Sequence, residues 1–197
     1  MPADTLLNPV MPRIMPSEIK IEKLNNPFEQ IGDGYHCFGC SSKNPKGLKL
    51  DFFRNGRTLI TRWHPDPDLQ GYHNLLHGGI QATLLDETAA WWIYAIAGTA
   101  GFTSRLSVRY HKGASVAEGD LYTVGREILQ RRNLYLIEVN LYNHRLELCS
   151  SGELEFFTYP VEKALADLYY PGHEQFKGTW GYPEDFGLPA GLPEALA

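Results

Sequence analysis

The chain has 197 residues and a mass of 22.2 kDa, enough for one domain with a sizeable core and little more. Hydrophobic residues make up 43% and charged residues 21%, which excludes wholesale disorder, and a net charge of -5 argues against a polyanion-binding domain. Three cysteines cannot build a disulfide framework, and a mean hydropathy of -0.30 comes with no membrane-length apolar run, so a soluble cytoplasmic protein is expected, bound to neither nucleic acid nor membrane.

The first 34 residues carry five prolines (Pro2, Pro9, Pro12, Pro16 and Pro27) and no strand or helix period. They lack the basic start and continuous apolar stretch of a secretory signal. A short helix is expected over residues 17–24. From about Tyr35 the hydrophobic period becomes two. Leu48, Leu50 and Phe52 alternate with Lys49 and Asp51, Asn55-Gly56 offers a hairpin turn, and Leu59 to Trp63 returns. Then comes the one long segment without alternation, His77 to Ala97, which has no proline and is apolar almost all round. Such a helix is buried. Four strands follow: one through Leu106, Val108 and Tyr110, then Asp120 to Gln130, one through Tyr135 to Leu141, and Glu147 to Tyr159. After Tyr159-Pro160 a helix is expected over Val161–Tyr169, then glycine, proline and aromatics. The expected class is α+β, an antiparallel β-sheet wrapped around one long central helix. It is divided into an N-terminal arm (1–34), a domain (35–160) and a C-terminal arm (161–197).

Chemistry concentrates at the helix. Gly78-Gly79 at its start lets another group approach backbone N–H donors that have no partner within the helix. Those donors and the helix dipole suit a polarised carbonyl or an oxyanion, although two glycines also simply make a tight turn. Further along, Asp86 has Ala82, Thr83, Ala89 and Ala90 as its neighbours one turn away, leaving space beside its carboxylate. An acid on an apolar helix is costly unless paired or used. Glu87 is more crowded, and an arginine partner is the favoured reading for it. His77 and Asp86 are nine residues apart, about 13–14 Å along the axis at ~1.5 Å per residue. A carboxylate there cannot serve a carbonyl held by its own Gly78-Gly79, so joint action requires a second copy of the chain.

His77-Gly78-Gly79 followed by Asp86 resembles the helix start and catalytic aspartate of the hotdog-fold acyl-CoA thioesterases, in particular the PaaI-like group. Cys37-Phe-Gly-Cys40 with Asn44-Pro45-x-Gly47-Leu48 is similar to the leading segment of many uncharacterised members, and Thr103-Ser104-Arg105-Leu106-Ser107-Val108-Arg109-Tyr110 resembles the strand lining the CoA cleft. The resemblance covers roughly residues 35–160 and implies a hotdog thioesterase domain that hydrolyses an acyl-CoA to free acid and CoA. It implies that Gly78 or Gly79 polarises the thioester carbonyl, with His77 steadying the loop. Asp86 of the partner would act as base or nucleophile, and Thr103 or Ser104 would orient water. Relatives often carry Asn or Gln six residues before the histidine; this chain has Gly71, and Asn74 substitutes only through a reshaped loop.

Substrate contacts are expected from Asn74, Ser104, Arg105, Arg126, Arg131, Arg132 and, as pocket wall, Trp91. Arginine's planar fork suits the CoA phosphates, while a solvated hairpin is the plainer role for Arg131-Arg132. A homodimer or a dimer of dimers is expected, with acyl-CoA as the small-molecule partner. His36, Cys37 and Cys40 offer zinc ligands, but the only other cysteine is Cys149 and no second paired motif exists, so neither a metal nor a cofactor is expected. The alternatives are a non-catalytic acyl-CoA-binding protein and a hydroxyacyl-thioester dehydratase using Glu87 with a loop histidine such as His73.

Overall fold

The computed structural model describes residues 19–31, 34–189 and 192. In chain order the strands are β1 (Ile21–Lys23), β2 (Asp51–Asn55), β3 (Thr58–Trp63), β4 (Gln70–Tyr72) and β5 (Leu75–Leu76). Helix α1 (Gly78–Trp92) then runs into a π-helical turn (Ile93–Ala97). After it come β6 (Gly101–Tyr110), β7 (Leu121–Arg131), β8 (Leu134–Tyr142), β9 (Leu148–Thr158), α2 (Val161–Asp167) and β10 (Thr179–Gly181). Eight strands form one antiparallel sheet in the order β10-β1-β2-β3-β7-β8-β9-β6, and β4-β5 make a separate hairpin that leads into α1. The two strands, central helix and four strands read from hydrophobic period are all present.

Helix α1 lies against the inner face of the sheet. Leu84, Leu85, Thr88, Ala89 and Trp92 are buried, as are the facing Leu59, Ile137, Val139 and Leu154. The buried threonine on this face is satisfied: Thr88 Oγ1 donates to the Leu84 carbonyl at 2.7 Å and meets Thr123 Oγ1 at 2.5 Å, which in turn meets Thr61 Oγ1 at 2.5 Å. These bonds tie α1 to β7 and β3 without an orphaned hydroxyl.

The far side of the helix explains why its sequence is apolar all round. Trp91 stacks on Phe52 at 3.8 Å between ring centroids and meets Phe176 edge-on, while Tyr94 packs among Phe28, Tyr170 and Phe176. The segments before β2 and after β9 thus cover the helix. They also extend the sheet. Residues 21–23, within the stretch expected to be helical, pair as β1 with both β2 and β10. Residues 17 and 18 of that stretch lie outside the described residues. Glu22, 1% exposed, fixes this junction: it accepts from Arg54 Nε at 2.5 Å and from the Gly178 N–H at 2.9 Å. Removing one partner from a buried ion pair is costly, so the pair selects strand over helix. Among the described residues no helix is long and apolar enough to cross a membrane.

Candidate active site

The helix start is built from its two glycines, each admitting a different ring. His77 caps α1: its Nδ1 accepts the Gly79 N–H at 2.9 Å, which places the proton of the neutral imidazole on Nε2. A Cβ on Gly79 would stand 3.1 Å from that nitrogen, so a side chain there would press on the imidazole folded over the helix end. Tyr110, near the end of β6, donates from its hydroxyl to the Gly78 carbonyl at 2.8 Å, and its ring lies 3.3 Å from where a Gly78 Cβ would be. The Ile80 and Gln81 N–H groups bond to the His77 carbonyl. Gly78 N–H is therefore the one first-turn donor without an acceptor among the described residues. Of the two expected oxyanion donors, Gly79 is already occupied by the chain's own histidine.

Asp86 lies at the middle of α1, on the wall of a cavity of about 310 Å³ lined by Phe28, Tyr35, Cys37, Ala90, Thr103 and Phe156, among others. The small neighbours on the helix leave that space. Thr103 Oγ1 donates to Asp86 Oδ1 at 2.7 Å. A β-bulge sets up this contact: β6 pairs Thr103 with Phe156 and Arg105 with Glu155, leaving Ser104 as the extra residue. Ser104 then turns away, and its hydroxyl donates to the Glu155 carbonyl at 3.0 Å. Burial pushes the Asp86 carboxyl above the usual aspartate value, while the Thr103 hydrogen bond pulls the other way.

Glu87 shares the cavity, and the arginine partner expected for it is absent among the described residues. Its neighbours are thiols. Cys37 Sγ faces Glu87 Oε1 at 3.5 Å, and Cys40 Sγ is 2.9 Å from the Tyr35 hydroxyl. Burial, then the adjacent Cys37, pushes the Glu87 carboxyl up to about 8. The bond to Cys40 and the backbone N–H groups of Cys40 and Gly39 pull the Cys37 thiol down, and Cys40 shifts up in turn.

The remaining residues are dispersed. Asn74 forms the β4–β5 turn with φ 59, its N–H donating to Gln70 Oε1 at 3.0 Å. Gly71 packs on His77, where a Cβ would meet the His77 Cα at 3.3 Å. Arg105 pairs with Glu155 at 2.6 Å, Arg126 stands opposite Glu138, and Arg131 and Arg132 sit at the β7–β8 turn. Trp91, 1% exposed, lines a separate hollow of about 240 Å³ with Phe52 and Cys40 rather than the Asp86 cavity. His73 lies on the exposed β4–β5 turn and is not brought to Glu87 within one chain. Tyr110 and the Cys37–Glu87 contact went unread in the sequence because each joins residues more than thirty positions apart.

Residues 73–150, from the β4–β5 turn to β9, match the family model of the thioesterase superfamily. The domain has the hotdog fold, and its central stretch is similar to the thioesterase superfamily. An uncharacterised protein of Schizosaccharomyces pombe is 34% identical over 58 residues, 29% of this chain and 33% of that protein, so the chain spans only a third of that curated relative. The PaaI protein of the E. coli phenylacetic acid degradation operon superposes on the hotdog with a TM-score of 0.53 at 14% identity, over 58% of this chain and 82% of its own. A Streptococcus mutans protein solved bound to acetyl CoA gives 0.52 at 19% identity, over 66% and 98%. At these identities the two structures share the fold.

Proposed function

We propose that this hotdog domain hydrolyses acyl-CoA thioesters in a site shared between two copies of the chain. The observation that carries the reading is the split along α1. The unpartnered Gly78 N–H stands at one end, and the Thr103-bound Asp86 carboxylate lies eight residues away, about 12 Å at ~1.5 Å per residue. No thioester spans that gap within one chain. A second copy, oriented so that its Asp86 faces the first copy's Gly78, closes it. Edge strand β6 supports this pairing: it ends the sheet, spans ten residues, and leaves Phe102, Leu106 and Tyr110 exposed. An apolar, unpaired edge is a template for a further strand.

In the joined site the Gly78 N–H and the helix dipole polarise the thioester carbonyl. Asp86 of the facing copy takes the proton of an attacking water, or adds to the carbonyl to give an anhydride that water then opens. On either route the C–S bond breaks, CoA leaves as thiolate and takes up the proton that water gave, and Thr103 holds the carboxylate in one orientation. Acyl-CoA is the proposed substrate because the superfamily is one of thioesterases and the acetyl CoA-bound neighbour shares this fold. Arg105, Arg126, Arg131 and Arg132 are the candidates for the CoA phosphates.

Complementation tests the shared site. Asp86→Asn and Gly78→Pro variants, each inactive alone, are mixed after partial denaturation and refolded together. In a dimer with two composite sites, random re-pairing restores about a quarter of wild-type CoA release, because half the dimers hold one intact site of two. No recovery, or a monomer by analytical ultracentrifugation that still releases CoA, overturns the reading.

A further inference from the structure

One cluster beside the proposed site gathers ligating atoms that hydrolysis does not use. Cys37 and Cys40 belong to a single turn, Glu87 reaches them from α1, and the two Sγ atoms and a Glu87 carboxylate oxygen all lie within 4.8 Å of one another. The turn is shaped for this approach. A Cβ on Gly39 would stand 2.4 Å from both Cδ and Oε2 of Glu87, so only glycine lets the chain close over the carboxylate. The Cys40 N–H points at Cys37 Sγ from 3.5 Å, a donor suited to a charged sulfur. Glu87 takes part in none of the ion pairs among the described residues.

We propose that Cys37, Cys40 and Glu87 bind one zinc-class divalent cation. Thiolate pairs select zinc among the common biological cations, and a carboxylate is an ordinary third ligand. With zinc–sulfur bonds of about 2.3 Å and zinc–oxygen bonds of about 2.0–2.2 Å, tetrahedral ligands sit roughly 3.5–3.8 Å apart. The three groups, all within 4.8 Å of one another, already stand within about 1 Å of that spacing. Two thiolates and a carboxylate carry three negative charges, and a divalent cation leaves one. Cys37 and Glu87 both line the Asp86 cavity, so the fourth position faces solvent or a ligand there, as in reactive rather than closed zinc sites. The ion staples the Cys37–Cys40 turn to the helix next to Asp86. In the sequence, Cys-x-x-Cys shows only half of a site, and the helix supplies the third ligand fifty residues after Cys37.

Metal loading is read without reference to turnover, so its failure and the failure of the hydrolysis reading are separate results. The full-length reduced protein, purified without chelator, is titrated with Co²⁺ and then Zn²⁺. The expected result is one ion per chain, with a sulfur-to-cobalt charge-transfer band that Zn²⁺ abolishes. Cys37→Ser and Glu87→Ala, checked for folding by circular dichroism, should each weaken binding by more than the about 10–100-fold cost of losing an outer-shell partner. Cys149→Ala should bind as wild type does. Three results would overturn the site: a folded, reduced wild-type protein that binds neither ion, an unchanged titration in Cys37→Ser, or a Cys37–Cys40 disulfide whose reduction yields no metal binding.

Discussion

Helix α1 carries two polar stations that differ in almost every respect. The first turn is open: Gly79 is exposed, Gly78 is half-buried, and the chemistry is that of backbone donors arranged by His77 and Tyr110. The middle is enclosed: Asp86 and Glu87 face a cavity with Thr103 and Cys37, and the chemistry is that of carboxylates and thiols. One station has donors and no acid, the other has acids and no free donor. A rigid helix holds them apart by its own rise, so neither can compensate for the other within one chain. Under the proposed reading, hydrolysis is therefore a question of how two copies meet.

The largest way to break that contrast is at the enclosed station. Asp86→Asn keeps the shape and the Thr103 contact but removes the basicity, and CoA release should fall by roughly 10²–10⁴-fold. Because burial disfavours the charged carboxylate, the Asn variant should melt no lower than wild type. A thiol-detection assay alongside a thermal melt checks both. Near wild-type turnover in a folded Asp86→Asn protein removes the acid from the mechanism.

At the open station the sharpest change is Gly78→Pro. Proline at the first helical position leaves the helix intact yet deletes the N–H. The preceding His77, at φ -57 and ψ 135, already has the extended conformation that proline asks of its neighbour. Loss of one oxyanion donor costs about 10²–10³-fold in turnover, so CoA release should drop by that amount. Gly78→Ala, which adds the same Cβ 3.3 Å from the Tyr110 ring but keeps the N–H, should share any fall in melting temperature without that loss of turnover. If turnover survives, the carbonyl is not polarised at this helix end.

How far the two stations could be read in the sequence follows from how locally each is encoded. Alternation in Leu48–Phe52, Leu106–Tyr110 and Tyr135–Leu141, with one non-alternating run, was enough for the central strands and the buried helix. Three-residue strands carry no period, so β1 and β10 were invisible; they exist because Glu22 meets Arg54 and Gly178, more than 150 residues along. Helical spacing alone showed the room beside Asp86. It could not show that Glu87 faces Cys37, because a turn fifty residues earlier brings the thiol there. The Gly78-Gly79 pair was legible as a donor site, but the use of Gly79 by His77 depends on a side-chain rotamer.

That last detail gives the smallest and most discriminating prediction. His77 as an N-cap should be worth about 0.5–2 kcal/mol, so His77→Ala should lower stability by that amount, read by denaturant unfolding. Asn is among the best N-caps, and its short side chain can accept from the helix N–H groups, so His77→Asn should recover most of the loss. Turnover then separates two roles. If the imidazole acts only by holding the first turn in place, Asn should restore CoA release together with stability. If stability returns while release stays depressed, the ring acts on the substrate as well, and the Nε2–H left over from capping is the group that reaches it.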